Sequence, residues 1–238
     1  MQRLDKEMLS RGLVNSRSQA ENMIQNGDVK IDGKVIRKPA FIVHAEAKIE
    51  LNVTNKYVSR AALKLKSAAI KMKIDFRGKT ILDVGSSTGG FTDYALKKGA
   101  IKSIAVDVGS DQLHPSLRGD HRIQLHEKTD IRDMEGPLDD VDMAICDVSF
   151  ISLREILPSV KKLLIKPNAV IIAMVKPQFE AGGAMKNKGV IKNDTIRRKI
   201  LRDFEIWAKR DFVIVDKAVS DVSGKKGNTE RFYILKIL

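Results

Sequence analysis

The chain has 238 residues, 43 of them Lys or Arg and 30 Asp or Glu, for a formal net charge of +13. That length supports one sizeable core and a small extra module. No apolar run reaches the ~18–20 residues that span a bilayer, and the first residues, Met1 to Glu7, lack the apolar stretch of a secretory signal, so no membrane is expected as partner. The lone cysteine, Cys146, cannot close an internal disulfide, which points to a reducing, cytoplasmic setting.

Residues 1–51 read as a small module. A short amphipathic helix covers Leu4 to Leu9 and ends near Gly12. Ser16, with Gln19 three residues on, has the spacing of a capping box, and the helix it starts ends near Asn26 at Gly27. Two short strands follow about the Asp32-Gly33 turn, and Lys48 to Leu51 adds another. Arg3, Arg11, Arg17, Lys30 and Lys34 stud this module and make it a candidate RNA-binding surface, against the plainer reading of a small capping domain. Residues 52–58 read as a linker. Ser59 is placed to cap a helix whose small apolar face is Ala61, Ala62, Leu65, Ala68 and Ala69, with Arg60 and Lys64 among its cations.

From Lys79 strands and helices alternate. Apolar strands are expected at Ile81–Val84, Ile104–Val108, Met143–Asp147 and Val170–Val175, with helices at Phe91–Lys98 and Ser152–Leu164. Such alternation argues a parallel sheet covered on both faces, an α/β fold. Between Asp111 and Asp140 a short helix near Leu113–Leu117 and a strand near Arg122–Leu125 are expected. Lys176 to Lys192 reads as a mobile Gly-rich loop. Asn193 to Arg210 reads as an amphipathic helix, and Phe212–Val215 with Arg231–Ile237 as a hairpin pair closing the sheet. Charge is uneven along this order: net −5 over residues 78–150, but +4 over 1–60, +4 over 61–77 and +10 over 151–238. Basic flanks about an acidic middle suit a polyanion held at both ends while the middle binds something else.

The acidic middle contains the most informative turn. Asp83 precedes Gly85-Ser86-Ser87-Thr88-Gly89-Gly90-Phe91, which joins a buried strand to a helix start, so a ligand can lie on backbone N–H groups. Ser87 breaks the dinucleotide pattern, and the turn lacks the Gly-Lys-Ser/Thr of a phosphate-binding loop. Asp107, 22 residues after Gly85, is set to accept ribose hydroxyls. An anionic end for the amides, an ammonium and sulfonium for the acids, and a ribose for Asp107 together describe S-adenosylmethionine. Asp130 is a candidate for its adenine amino group, and Phe150 for stacking, against a plain packing role. Asp147 and Lys176 end consecutive strands, where open α/β sheets place ligands. No metal is called for.

Ser59 to Leu65, Gly85 to Phe91, Cys146 to Leu153, Val175 to Glu180 and Gly227 to Glu230 resemble, in order and over nearly the whole chain, the TlyA family of haemolysin-A-like ribosomal RNA methyltransferases. The resemblance implies a Rossmann-like, FtsJ-like catalytic domain over 59–238 and an RNA-binding domain of ribosomal protein S-four type over 1–51. It implies a catalytic tetrad of Lys64, Asp147, Lys176 and Glu230, and methylation of a ribose 2′-hydroxyl of ribosomal RNA, a cytidine, in ribosomal subunits. Arg60 joins the RNA contacts. Lys176 is the expected base and Lys64 its orienting partner, since paired lysines of limited solvation favour proton loss near neutrality. Tyr57 stands where some relatives have tryptophan. The alternatives are an RNA-binding assembly protein without turnover and a membrane-damaging haemolysin; a dinucleotide oxidoreductase ranks last.

Overall fold

The computed structural model describes residues 1–14, 16–51, 57–181, 190–191, 193–224 and 227–238. The first module is built from β1 (Gln2–Arg3), α1 (Leu4–Ser10), α2 (Arg17–Asn26), β2 (Val29–Ile31), β3 (Lys34–Val35), β4 (Ile42–Val43) and β5 (Ile49–Leu51). Ser16 accepts a hydrogen bond from the Gln19 amide at 3.2 Å, the expected cap of α2, and Gly27 ends that helix in the left-handed region. Asp32 and Gly33 both have positive φ, the geometry a two-residue hairpin turn requires. Leu4, Met8, Met23, Ile24, Val29 and Val43 close the core. The antiparallel pairing of β1 with β4 was not anticipated, because two-residue strands carry no readable period.

The second module comprises α3 (Arg60–Lys71), β6 (Thr80–Val84), α4 (Gly90–Lys97), β7 (Lys102–Val106), β8 (Ile123–His126), β9 (Met143–Cys146), α5 (Leu153–Leu163), β10 (Val170–Val175), α6 (Pro177–Glu180), α7 (Asp194–Ala208), β11 (Phe212–Val219) and β12 (Arg231–Ile237). Its seven-stranded sheet has the order β11-β12-β10-β9-β6-β7-β8. Strands β6 to β10 run parallel, and β12 lies antiparallel between β10 and β11. All five residues of β6 are buried, as a central strand covered on both faces demands. One apolar layer packs α3 and α4 on the sheet, the other packs α5 and α7. The chain order reverses between β6 and β9, which opens the ligand crevice at the carboxyl ends of these strands.

Several boundaries differ from expectation. Strands β7 and β9 stop at Val106 and Cys146, so Asp107 and Asp147 stand just past their strand ends. The expected helix at 113–117 is a 3-10 turn, Pro115–Leu117, and a second such turn covers Ile131–Asp133. The segment after β10 starts with the short helix α6; residues 182–189 and 192 lie outside the described residues, as do linker residues 52–56. Ser59 occupies the cap position of α3, but its hydroxyl makes no cap bond. It is buried against Gly90, where an added Cβ would come within 2.1 Å of it. Close approach of α3 to the start of α4 takes precedence over the local cap.

Candidate active site

The glycine turn is shaped by left-handed backbone at Gly85, Ser87 and Gly89. A Cβ on Gly85 would lie 2.9 Å from the Asp147 carbonyl oxygen, so the turn rests on the end of β9. Asp107 holds the turn from the other side: its carboxylate accepts from the Ser87 amide at 2.8 Å and the Gly109 amide at 2.7 Å. Thr88 is buried, and its carbonyl accepts from the His114 amide. Asp83 is fully buried at the foot of the turn. One of its oxygens accepts from the Thr92 amide (3.0 Å) and hydroxyl (2.7 Å), while the other has no partner. Burial raises its pKa to about 7, with the charges of Asp147 and Asp107 adding and the Thr92 bonds opposing. The buried Ser86 hydroxyl is likewise unpartnered.

Two lysine–carboxylate pairs stand beside the turn. Lys176 Nζ lies 2.5 Å from Asp147 Oδ1 and donates to Ser149 Oγ at 2.8 Å. Lys64 Nζ lies 2.6 Å from Glu230 Oε2, whose side chain is 3 % exposed. Both are ion contacts rather than well-angled hydrogen bonds, since neither carboxylate oxygen meets hydrogen-bond geometry. Pairing of Val175 with Arg231 sets Lys176 level with Glu230. The sheet register thereby joins α3, β9, β10 and β12 at one point, and the four predicted tetrad residues come together there.

The other predicted cofactor residues are placed differently. Phe91 is buried in the core, its ring 6.1 Å from that of Phe232. Both oxygens of Asp130 are held by Arg132, at 3.0 and 2.7 Å. Phe150 is 92 % exposed with φ +69°, its ring 5.3 Å from that of Phe179. An exposed aromatic in left-handed backbone is costly unless something uses it.

Three residues escaped the sequence reading. Ser149 bonds Lys176, Phe179 faces Phe150, and Glu180 accepts from Ser152 Oγ (2.6 Å) and the Leu153 amide (2.8 Å), pinning the start of α5. Burial raises the pKa of Glu180, with its hydrogen bonds opposing. All three lie inside the runs singled out above, but only contact shows their use.

In the first module, Arg3 and Arg17 converge on the buried carboxylate of Asp5, at 2.9 and 2.8 Å. Burial alone would raise the pKa of Asp5, but the two guanidinium bonds outweigh it and bring it to about 2. Arg11 is spent on Glu7 and on the carbonyls of Ala45 and Ala47. Lys30 is half-buried and Lys34 exposed, and Arg60 reaches the Ser223 carbonyl at 3.4 Å, beside the segment leading to Glu230. The two modules touch where Ser16 Oγ and Gln19 Nε2 donate to the carbonyls of Asp111 and Leu113.

A profile of FtsJ-like methyltransferases matches residues 57–237, and an S4 domain profile matches residues 2–49. The 23S rRNA (cytidine-2'-O)-methyltransferase TlyA of Campylobacter jejuni is 38 % identical, covering 94 % of this chain and 96 % of that protein. The chain belongs to the TlyA family of FtsJ-like methyltransferases. Hemolysin A of Brachyspira hyodysenteriae is 37 % identical over 96 % of this chain and 97 % of its own length. A putative hemolysin from Streptococcus thermophilus superposes with a TM-score of 0.75 at 34 % identity, over 99 % of this chain and 88 % of that one. TlyA-family members thus carry both kinds of name. Among the described residues, no helix is long and apolar enough to cross a membrane.

S-adenosylmethionine is the cofactor that the TlyA family and these residues imply. The fit is chemical: the unpartnered oxygen of Asp83 suits an ammonium, and Asp107 has lone pairs left for ribose hydroxyls; the amides of Gly85, Ser86, Ser87 and Gly89 already donate within the protein, which leaves those of Thr88 and Gly90 for a carboxylate.

Proposed function

We propose that this protein transfers a methyl group from S-adenosylmethionine to a ribose 2′-hydroxyl of ribosomal RNA, at a cytidine. The observation that carries the reading is the meeting of Lys176–Asp147 and Lys64–Glu230 at the strand ends, with the Asp147 backbone packed against the glycine turn at Gly85. When bound there, the cofactor supplies an electrophilic methyl group. A ribose hydroxyl is a poor nucleophile until its proton is drawn away. Lys176, in its neutral form, takes that proton; Asp147 and Ser149 hold the ammonium that results. Lys64, fixed by Glu230, orients the hydroxyl oxygen in line with the methyl group, so much of the rate comes from positioning. Asp130 meets an adenine amino group only by sharing an oxygen with Arg132.

The first module is read as the RNA-gripping part. Asp5 holds the guanidiniums of Arg3 and Arg17 side by side, still 38 % and 46 % exposed, so two cations are presented in fixed geometry. Lys30 and Lys34 add further cations to this module and Arg60 adds one from the second module, beside the segment leading to Glu230, while Arg11 braces the first module from within. Such a substrate places the activity in the cytoplasm, with ribosomal subunits as partner. The test is mass-spectrometric mapping of 2′-O-methylation in rRNA of cells with the native gene, without it, and with Lys176→Ala. A mark present only with native protein is expected. An unchanged mark with Lys176→Ala overturns the assigned chemistry, and no mark in any strain favours an RNA-binding assembly role.

A further inference from the structure

The outward face of α7 has no role in the reading above. Ile200, Leu201, Phe204 and Ala208 turn inward and are buried, whereas Arg198, Lys199 and Arg202 are exposed. Neighbouring cations are matched: Arg197 by Asp194 at 2.9 Å, Lys217 by Glu205 at 2.8 Å and Lys161 by Asp211 at 2.7 Å. Among the described residues, Arg198, Lys199 and Arg202 have no carboxylate within 4 Å, and the exposed Asp203 is the acid on that face. A solvated helix surface commonly mixes its charges, with opposite signs at i,i+4. Asp194–Arg198 and Lys199–Asp203 have that spacing here, but neither pair closes within 4 Å, and three neighbouring cations are left without an ion partner among the described residues.

Topology decides where they point. β10 and β11 are both antiparallel to β12 and so run parallel to each other. The helix connecting them must therefore begin at the carboxyl edge of the sheet, where Lys176 and Asp147 stand, and α7 touches α6 there. Arg198 and Arg202 lie about 6 and 12 Å along the helix from Asp194, at about 1.5 Å per residue. The first module instead meets the catalytic module at Asp111 and Leu113, beyond β7 toward the opposite end of the sheet. Two basic surfaces thus flank the reacting edge.

We propose that Arg198, Lys199 and Arg202 form a second RNA-docking surface, which grips backbone phosphates on the side of the target nucleotide opposite the S4 domain. This rests on the rRNA reading above. RNA is favoured over a protein partner because the surface offers free cationic heads around a large exposed apolar side chain, Ile206, and phosphate contact here breaks no existing ion pair.

The full-length native protein is compared with R198E/K199E/R202E and with K209E/R210E, which changes the far end of the same helix. Filter binding to protein-free rRNA and to ribosomal subunits is measured across a salt series, with steady-state methylation of subunits and calorimetric S-adenosylmethionine affinity. The triple variant is expected to bind rRNA at least tenfold more weakly, with the salt slope reduced by about 0.7–0.9 for each lost contact. KM for subunits should rise, with kcat and cofactor affinity within twofold of native; the far-end variant should stay within twofold throughout. If the triple variant loses cofactor affinity, R198Q/K199Q/R202Q replaces it with the same expected slope change. Native-like RNA affinity in the triple variant overturns the proposal, as does an equal loss in the far-end variant. Weakened binding to subunits but not to free rRNA assigns the face to a ribosomal protein and also overturns it. Native methylation with an unimpaired triple variant refutes this surface alone, whereas a native protein that neither binds nor methylates rRNA refutes the rRNA reading as well.

Discussion

The two lysine–carboxylate pairs look alike in distance and differ in construction. Lys176 and Asp147 stand at the ends of adjacent parallel strands, so the sheet alone brings them together. Lys64 comes from α3 and Glu230 from the approach to β12, 166 positions apart in the chain, and they meet only after the antiparallel strand has inserted beside β10. The first pair is a local consequence of strand order. The second also ties the helix before the sheet to the last strand in it. A pair of the first kind can serve chemistry at small structural cost; one of the second kind is part of what closes the domain.

Loss of activity separates them first. Lys176→Ala should lower kcat by about 10²- to 10⁴-fold, the usual share of a general base, while leaving S-adenosylmethionine affinity within a few-fold. Single-turnover methylation with cofactor titration checks this, and a kcat near native would move the base to Lys64. Stability separates them next. Lys64→Ala strands Glu230 at 3 % exposure and should cost about 3 kcal/mol of unfolding free energy, seen in urea melts. Lys176→Ala leaves Asp147 wetter, at 15 % exposure, and should cost less. The double variant Lys64→Met/Glu230→Leu is expected to recover the stability but not the activity. Equal melts for both single variants would show that the two pairs are structurally equivalent.

The turn they share is tested by Gly85→Ala. Its φ of +83° and the 2.9 Å approach to the Asp147 carbonyl predict a loss of about 1–3 kcal/mol and weaker cofactor binding together. A native-like melt would mean that the turn shifts freely.

Asp83 gives a smaller, pH-dependent effect. Its folded pKa of about 7 lies above the ordinary 3.8, so between those values the folded chain holds a proton that the unfolded chain has lost. The stability associated with this group therefore falls as pH rises through that window and is constant above it. An ammonium at its free oxygen favours the ionised form, so cofactor affinity should increase by up to about tenfold per unit as pH rises toward 7. Asp83→Asn should remove the part of the pH dependence that native protein shows in excess. Calorimetry in buffers of different ionisation enthalpy reads the proton released, and identical pH profiles for native and variant would refute the assignment. Smallest of all, Ser149→Ala removes one hydrogen bond to Lys176 and should lower kcat about fivefold, from a bond worth about 1 kcal/mol.

Much of this was legible beforehand because it depends on near neighbours in the chain. The Ser16 cap, the Asp32-Gly33 hairpin and the strand-turn-helix around Gly85 follow from backbone preferences of a few residues each. The apolar runs of β6, β9 and β10 announce strands buried on both faces. Asp147 and Lys176 follow from the same logic, since residues just past such strands reach the crevice. For Lys64 and Glu230 only similarity to a known family supplied the pairing; no local pattern links residues so far apart.

What tertiary structure alone decided is equally specific. It left one oxygen of Asp83 without a partner, buried Phe91 and exposed Phe150, turned Asp130 toward Arg132, and made Ser59 pack against Gly90 instead of capping its helix. It also separated cations that are alike in sequence: Arg3 and Arg17 are fixed on a buried acid, Arg11 is consumed as a brace, and Arg198 and Arg202 are exposed on the outward face of α7 with no ion partner among the described residues. The physical reason is the same in each case. Backbone preference and apolar period act over a few residues and are written in order along the chain. The partner of a charged or polar side chain is chosen by whatever the packed elements bring within about 3 Å, which sequence order does not contain.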